Sequence, residues 1–159
     1  MNDSQGIFDN YEFIIVDDSR EKIGMIREEL TSLNVLPRII TEDDYTTKAF
    51  RAVKDTYEKD KFPFLFLDEH LDIDTSEYGS NIAELVIEFF GEKGGVIIPT
   101  SESLEHQLWK MKFLVKDTKE WHIEKDPSLI SGFLAENVNE VCKEYLEGRE
   151  KKESDIKNG

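Results

Sequence analysis

Residues 13–20 read FIIVDDSR, four apolar side chains running directly into two adjacent carboxylates, Asp17 and Asp18. A short run of this kind, β-branched and stopped by turn and capping residues, predicts a strand buried on both faces. A buried strand has no use for two like charges at its end unless something beyond it uses them. Ser19 is placed to cap a helix, and Ile23, Ile26, Leu30 and Leu33 follow at three- and four-residue steps. That spacing predicts an amphipathic helix of about four turns.

The same alternation continues along the chain. Val35 to Ile40 is a second apolar run, and Pro37 within it predicts an edge strand. Thr41-Glu42-Asp43-Asp44 predicts the start of a second helix, its acids near the positive end of the helix dipole, with Tyr45, Ala49, Ala52, Val53 and Tyr57 facing inward. Phe62 to Leu67 predicts a third strand, again ending on a carboxylate, Asp68. Residues 68–81 predict an acid-rich loop, and Ile82, Leu85, Val86, Phe89 and Phe90 mark a helix that stops at Gly91. Val96 to Ile98 predicts a fourth strand running into Pro99, Thr100 and Ser101; Leu104 to about Leu114, a helix; Trp121 to Glu124, a short fifth strand. A long final helix is predicted from Pro127 to about Leu146.

Five alternations of strand and helix predict an α/β fold, a five-stranded parallel sheet with helices on both faces. Right-handed crossovers place the C-terminal end of every strand on one edge, and ligands of such sheets bind there, where the strand order reverses. Asp17, Asp18, Asp68 and Thr100 should therefore converge on one crevice. Carboxylates crowded together raise one another's pKa unless a cation lies among them. A hard divalent ion such as Mg2+ suits them, because it takes oxygen ligands and commonly binds one or two protein carboxylates plus phosphate oxygens.

Composition narrows the partners. The chain has 159 residues, enough for one domain with its own core, and 35 acidic against 20 basic residues give a formal net charge of −15. A field of that sign disfavours nucleic acid and anionic membrane, and suits a cation or a partner with a basic patch. Cys142 is the single cysteine, which excludes an internal disulfide and fits a reducing cytoplasm. Met1 to Asn10 lacks the basic start and apolar run of a signal peptide, and no apolar stretch approaches 18 residues. Residues 1–10 read as a flexible lead, 11–147 as the domain and 148–159 as a charged tail, with no output domain after it.

Taken together, "FIIVDDS", "FLFLDEHLD", "VIIPTSES" and "WHIEKDP", in this order and at this spacing, resemble a response-regulator receiver domain, the phosphoaspartate module of two-component signalling. The resemblance covers residues 11–147 and implies a (βα)5 flavodoxin-like fold. It implies that Asp68 is the phosphoacceptor, that Asp18 binds Mg2+ directly and Asp17 directly or through water, and that His70 gives the metal its backbone carbonyl. It further implies that Thr100 is the hydroxyl that turns toward the phosphoryl group, that Lys125 pairs with it, and that His122 holds the aromatic switch position. Lys116, in "KFLVKD", is the other candidate lysine. It lies 16 residues after Thr100, which leaves hardly any room for a helix and its return, whereas Lys125 lies 25 residues after and is favoured, with Lys116 still open. The family's usual Pro is missing after Asp68, and Gly79 comes about three residues late, so the loop between them departs from the family pattern.

The function expected from this resemblance is a stand-alone, cytoplasmic receiver. It would accept a phosphoryl group from a histidine kinase or phosphotransfer protein, and signal by contact with an unknown output protein or by phosphorelay. Two alternatives stay open at this stage: a receiver-like interaction module without phosphoryl transfer, and a small Mg2+-dependent phosphatase with Asp68 as nucleophile. For the latter, His70 stands where such enzymes commonly place a general acid. Asp72 and Asp74 read as solvated loop acids, and Trp109 and Trp121 as packing residues.

Overall fold

A computed structural model describes residues 9–72, 77–100 and 120–123. In chain order the elements are β1 (Tyr11–Val16), α1 (Arg20–Ser32), β2 (Arg38–Ile40), α2 (Tyr45–Glu58), β3 (Phe62–Leu67), β4 (His70–Asp72), β5 (Glu77–Tyr78), α3 (Gly79–Phe90), β6 (Gly95–Pro99) and β7 (Trp121–Ile123). The main sheet has five strands in the order β2-β1-β3-β6-β7. Every neighbouring pair in it is parallel. This is the doubly wound order in which the chain steps from β1 to one side, then returns past it to build the other.

Strand alternation divides the core into two layers. Ile14, Val16, Leu65, Leu67 and Ile97 pack with Ala49, Ala52 and Val53 of α2 and with Ile82, Ala83 and Val86 of α3. The intervening residues Phe13, Ile15, Phe64, Phe66, Val96 and Ile98 pack on the other face with Ile23, Ile26 and Leu30 of α1. Because both faces are covered, the central strands are apolar throughout, which is why they read as unbroken hydrophobic runs. Close, tilted ring pairs reinforce the α1 side: Phe13 and Phe64 have centroids 4.8 Å apart, and Phe64 and Phe66 5.3 Å.

The edge position of β2 and the fifth strand at Trp121 agree with the sequence reading, but β2 begins at Arg38, after Pro37, not at Val35. Trp121 is buried and packs as expected, its indole N–H donating to the Phe90 carbonyl at 3.0 Å. Gly95 is required beside it, since a Cβ there would come within 2.7 Å of the Trp121 ring and 2.8 Å of the Pro63 carbonyl oxygen.

Two elements differ from expectation. Helix α2 starts at Tyr45 rather than Thr41, because Asp44 adopts a left-handed conformation (φ 62°) and supplies no side-chain cap. The acids before it form the turn instead, closed by the Tyr45 hydroxyl donating to the Thr41 carbonyl at 3.0 Å. The segment after Asp68 is not a plain loop: β4 and β5 pair antiparallel, His70 opposite Tyr78 and Asp72 opposite Glu77. The expected helices at 104–114 and 127–146, and the tail at 148–159, lie outside the described residues. No helix among the described residues is long and apolar enough to cross a membrane.

Candidate functional site

Register brings the site together. Val16 pairs with Leu67, and Leu67 with Pro99, so the next residues of β1, β3 and β6 are Asp17, Asp68 and Thr100, side by side. The ladder persists one step past the strands: the Asp68 N–H donates to the Val16 carbonyl at 3.0 Å, and the Thr100 N–H to the Leu67 carbonyl at 3.1 Å. The three side chains continue the two-residue rhythm of Phe13/Ile15, Phe64/Phe66 and Val96/Ile98, so they belong to the α1 face of the sheet. Asp17 and Asp68 end β1 and β3, between which the strand order reverses, and Thr100 ends β6 on the other side of β3.

Asp17, Asp68 and Thr100 are buried, with relative exposures of 0%, 5% and 4%. Asp18, one residue past Asp17, is exposed at the mouth. One carboxylate oxygen each from Asp17, Asp18 and Asp68 lie within 4.8 Å of one another. The convergence expected from sequence is thus present for all three acids, with Thr100 adjacent. The Asp17 Oδ1 accepts from the Ser19 N–H at 2.9 Å, while its Oδ2 and the Thr100 Oγ1 are buried without a hydrogen-bond partner among the described residues.

Electrostatics follow from this burial. Desolvation pushes the Asp17 carboxyl up from its usual 3.8 to about 6; the Ser19 N–H works against the rise, and the Asp68 charge adds to it. Burial likewise raises Asp68, partly offset by Lys22. Lys22 is the residue that sequence reasoning missed. Its Nζ is 3.1 Å from Asp68 Oδ1 and 3.6 Å from Asp17 Oδ2. Burial lowers the pKa of its ammonium, but Asp17 and Asp68 outweigh that and the net shift is upward. The only sequence signal was its place in the first turn of α1, four residues after Asp18, on the helix that Ser19 caps by accepting from the Lys22 N–H at 3.3 Å.

A second missed residue supports the site from below. Glu69 is buried, and its Oε1 accepts from both the N–H and the hydroxyl of Ser80, at 3.1 and 2.7 Å. It therefore caps α3 from outside the helix. The Gly79 N–H donates to the Glu69 carbonyl at 2.9 Å, which fixes the start of α3 directly beneath the phosphoacceptor candidate.

His70 opens β4, two residues past Asp68, with its ring edge-on to Tyr78 at 5.8 Å. His122 lies in β7 opposite Val96. Lys125 and Lys116 lie outside the described residues; the fifth strand that leads toward Lys125 is β7.

The donor set fits a hard divalent ion. It consists of carboxylate oxygens alone, grouped closely, one of them buried without a hydrogen-bond donor.

No protein-family model matches the chain, and no curated protein matches it. Solved structures do. A CheY-like response-regulator receiver domain protein from Methanospirillum hungatei JF-1 is 15% identical, covering 84% of this chain and 98% of its own, with a TM-score of 0.46. The N-terminal domain of a response regulator/sensory box/GGDEF protein from Carboxydothermus hydrogenoformans is 14% identical over 84% of this chain and 95% of its own, at a TM-score of 0.49. The Mn2+-bound form of the response regulator Rcp1 is 14% identical over 80% of this chain and 90% of its own, at 0.48. The chain has the receiver fold, as its strand order and two-faced helical cover define it.

Proposed function

We propose that this protein is a response-regulator receiver that accepts a phosphoryl group on Asp68 from a phosphohistidine donor, in a Mg2+-dependent reaction. One observation carries the reading: buried Asp68 stands beside Asp17, Asp18 and Thr100 at the reversal point of the sheet. An Asp68 carboxylate oxygen would form the new O–P bond as the donor's N–P bond breaks, and the leaving imidazole takes a proton from solvent. Asp17, Asp18 and Asp68 would hold the ion, with the His70 carbonyl as a further ligand. When bound, the ion supplies charge neutralisation for the carboxylates and the phosphoryl oxygens.

The Thr100 hydroxyl has no hydrogen-bond partner among the described residues, and a phosphoryl oxygen on Asp68 would provide one. Its rotation toward that oxygen links the chemistry to the rest of β6. Lys125, two residues beyond β7, would pair with a second phosphoryl oxygen. Output then consists of altered contact with another protein, which the chain's acidity fits if that partner presents basic groups. A histidine kinase or phosphotransfer protein is the donor class, and the cytoplasm the matching compartment.

Incubation with acetyl phosphate and Mg2+, followed by intact-mass measurement, tests the reading. The wild-type chain should gain one phosphoryl group that EDTA prevents. If Asp68→Asn gains it equally, Asp68 is not the acceptor.

A further inference from the structure

Lys22 puts a positive charge where the proposed function needs a metal. Its ammonium hydrogen-bonds Asp68 Oδ1 at 3.1 Å and stands 3.6 Å from Asp17 Oδ2, so it bridges two of the three carboxylates grouped at the pocket. We propose that Lys22 is a built-in competitor for the divalent cation: ammonium and metal ion occupy the acid pocket in turn, and Asp68 is released for chemistry only when the ion displaces the lysine. This rests on the receiver reading above, and adds to it a residue that decides when the site is armed.

Mutual exclusion follows from distance and charge. A Mg2+ ligated by these carboxylates sits about 2.1 Å from their oxygens. An ammonium on the same two carboxylates would then be a near neighbour of a doubly charged ion, in a site walled by buried side chains where charges are weakly screened. The two cations repel each other on these carboxylates and so compete for them. Lys22 can leave at small cost. Its side chain is 35% exposed and ends a flexible four-carbon stem, so a rotamer change carries the ammonium to water. The backbone need not follow, because Ser19 anchors the first turn of α1.

Its presence has a reason as well. Asp17 and Asp68 are buried, and without a cation they would face each other as unpaired charges in a desolvated crevice. Lys22 offsets that cost while no ion is bound. It also engages an oxygen of Asp68, the proposed nucleophile, and a carboxylate oxygen donating its lone pair to an ammonium is a poorer attacker. The apparent affinity of the pocket for metal is the intrinsic affinity reduced by the fraction of molecules whose lysine has swung out.

The test is calorimetric titration of Mg2+ into the full chain and into Lys22→Met, which keeps the aliphatic stem, together with melting curves in EDTA. Lys22→Met should bind Mg2+ about tenfold more tightly, melt at lower temperature in EDTA, and gain more from added Mg2+ than wild type does. Equal or weaker Mg2+ binding in the variant overturns the competition and leaves the receiver reading standing. Mg2+ binding by neither chain overturns the pocket itself, and the competition with it. Should Lys22→Met fail to fold, wild type alone decides: amine acylation of Lys22, followed by peptide mass spectrometry, should speed up several-fold on adding Mg2+. An unchanged rate overturns the proposal.

Discussion

Gly79 leaves no room for a side chain against Asp68: a Cβ there would lie 2.9 Å from the Asp68 carbonyl carbon and would overlap its oxygen. The first residue of α3 is thus packed directly onto the backbone of the proposed phosphoacceptor. Gly79→Ala should therefore destabilise the chain by about 2 kcal/mol, the scale of overpacking, and weaken Mg2+ binding by displacing the Asp68 carboxylate. Gly24, in the middle of α1, has nothing within 4 Å of its Cβ position. Gly24→Ala should stabilise by about 0.5–1 kcal/mol through helix propensity and leave Mg2+ binding as it is. Urea denaturation of both variants, with and without Mg2+, checks the contrast; similar effects from the two would refute the close approach as the cause.

Much of this site was legible because each functional group follows its strand immediately. The strands show as apolar runs, Phe13 to Val16, Phe62 to Leu67 and Val96 to Ile98, and a parallel sheet sends their ends to one edge. The groups that escaped notice are those whose meaning depends on a distant partner. Lys22 reads as an ordinary surface lysine until Asp68, 46 positions away, is brought against it. Glu69 reads as one more loop acid until Ser80, 11 positions on, proves to need its carboxylate. The β4–β5 hairpin has strands too short to show an apolar alternation, so turn-rich, acidic composition masked it. The start of α2 lies later than its acids suggest for a local reason: acids suit a helix N-terminus in general, but the left-handed Asp44 ends the turn before any helix can begin.

A substitution at the buried Thr100 would separate stability from the proposed signalling. Its Oγ1 has no hydrogen-bond partner among the described residues, so removing it forfeits no bond to any of them. Thr100→Val, nearly the same shape, should leave the unphosphorylated chain equally stable or more stable by about 1 kcal/mol, since an unsatisfied buried polar group is costly. The same variant should still take up a phosphoryl group on Asp68 yet lose most of the change that phosphorylation or beryllofluoride causes elsewhere in the fold. Amide chemical shifts of β6 with and without beryllofluoride measure this. Wild-type shift changes in Thr100→Val would mean that the hydroxyl does not couple the site to the sheet.

The raised Asp17 pKa makes stability depend on pH in a defined direction. Asp17 titrates near 6 when folded and near 3.8 in its usual surroundings, so between these values the folded chain binds more protons than the unfolded one. Stability must then fall as pH rises through this window, by up to about 3 kcal/mol for a shift of this size, and stay reduced above it. Asp68 is shifted in the same direction and adds to the trend. Lys22 acts elsewhere: its raised pKa stabilises the fold at neutral pH, and that contribution fades only in alkali, as the ammonium deprotonates. The chain's net charge of −15 also favours the acid side, because self-repulsion eases as carboxylates protonate. Asp17→Asn separates the two effects. In EDTA, melting temperature should drop as pH is raised from about 4 to about 6 for wild type, and drop less for Asp17→Asn. With saturating Mg2+ the wild-type dependence should reverse or flatten, because the ion binds the ionised carboxylates and protons compete with it. Parallel pH profiles for wild type and Asp17→Asn in EDTA would show that Asp17 is not held protonated by its burial.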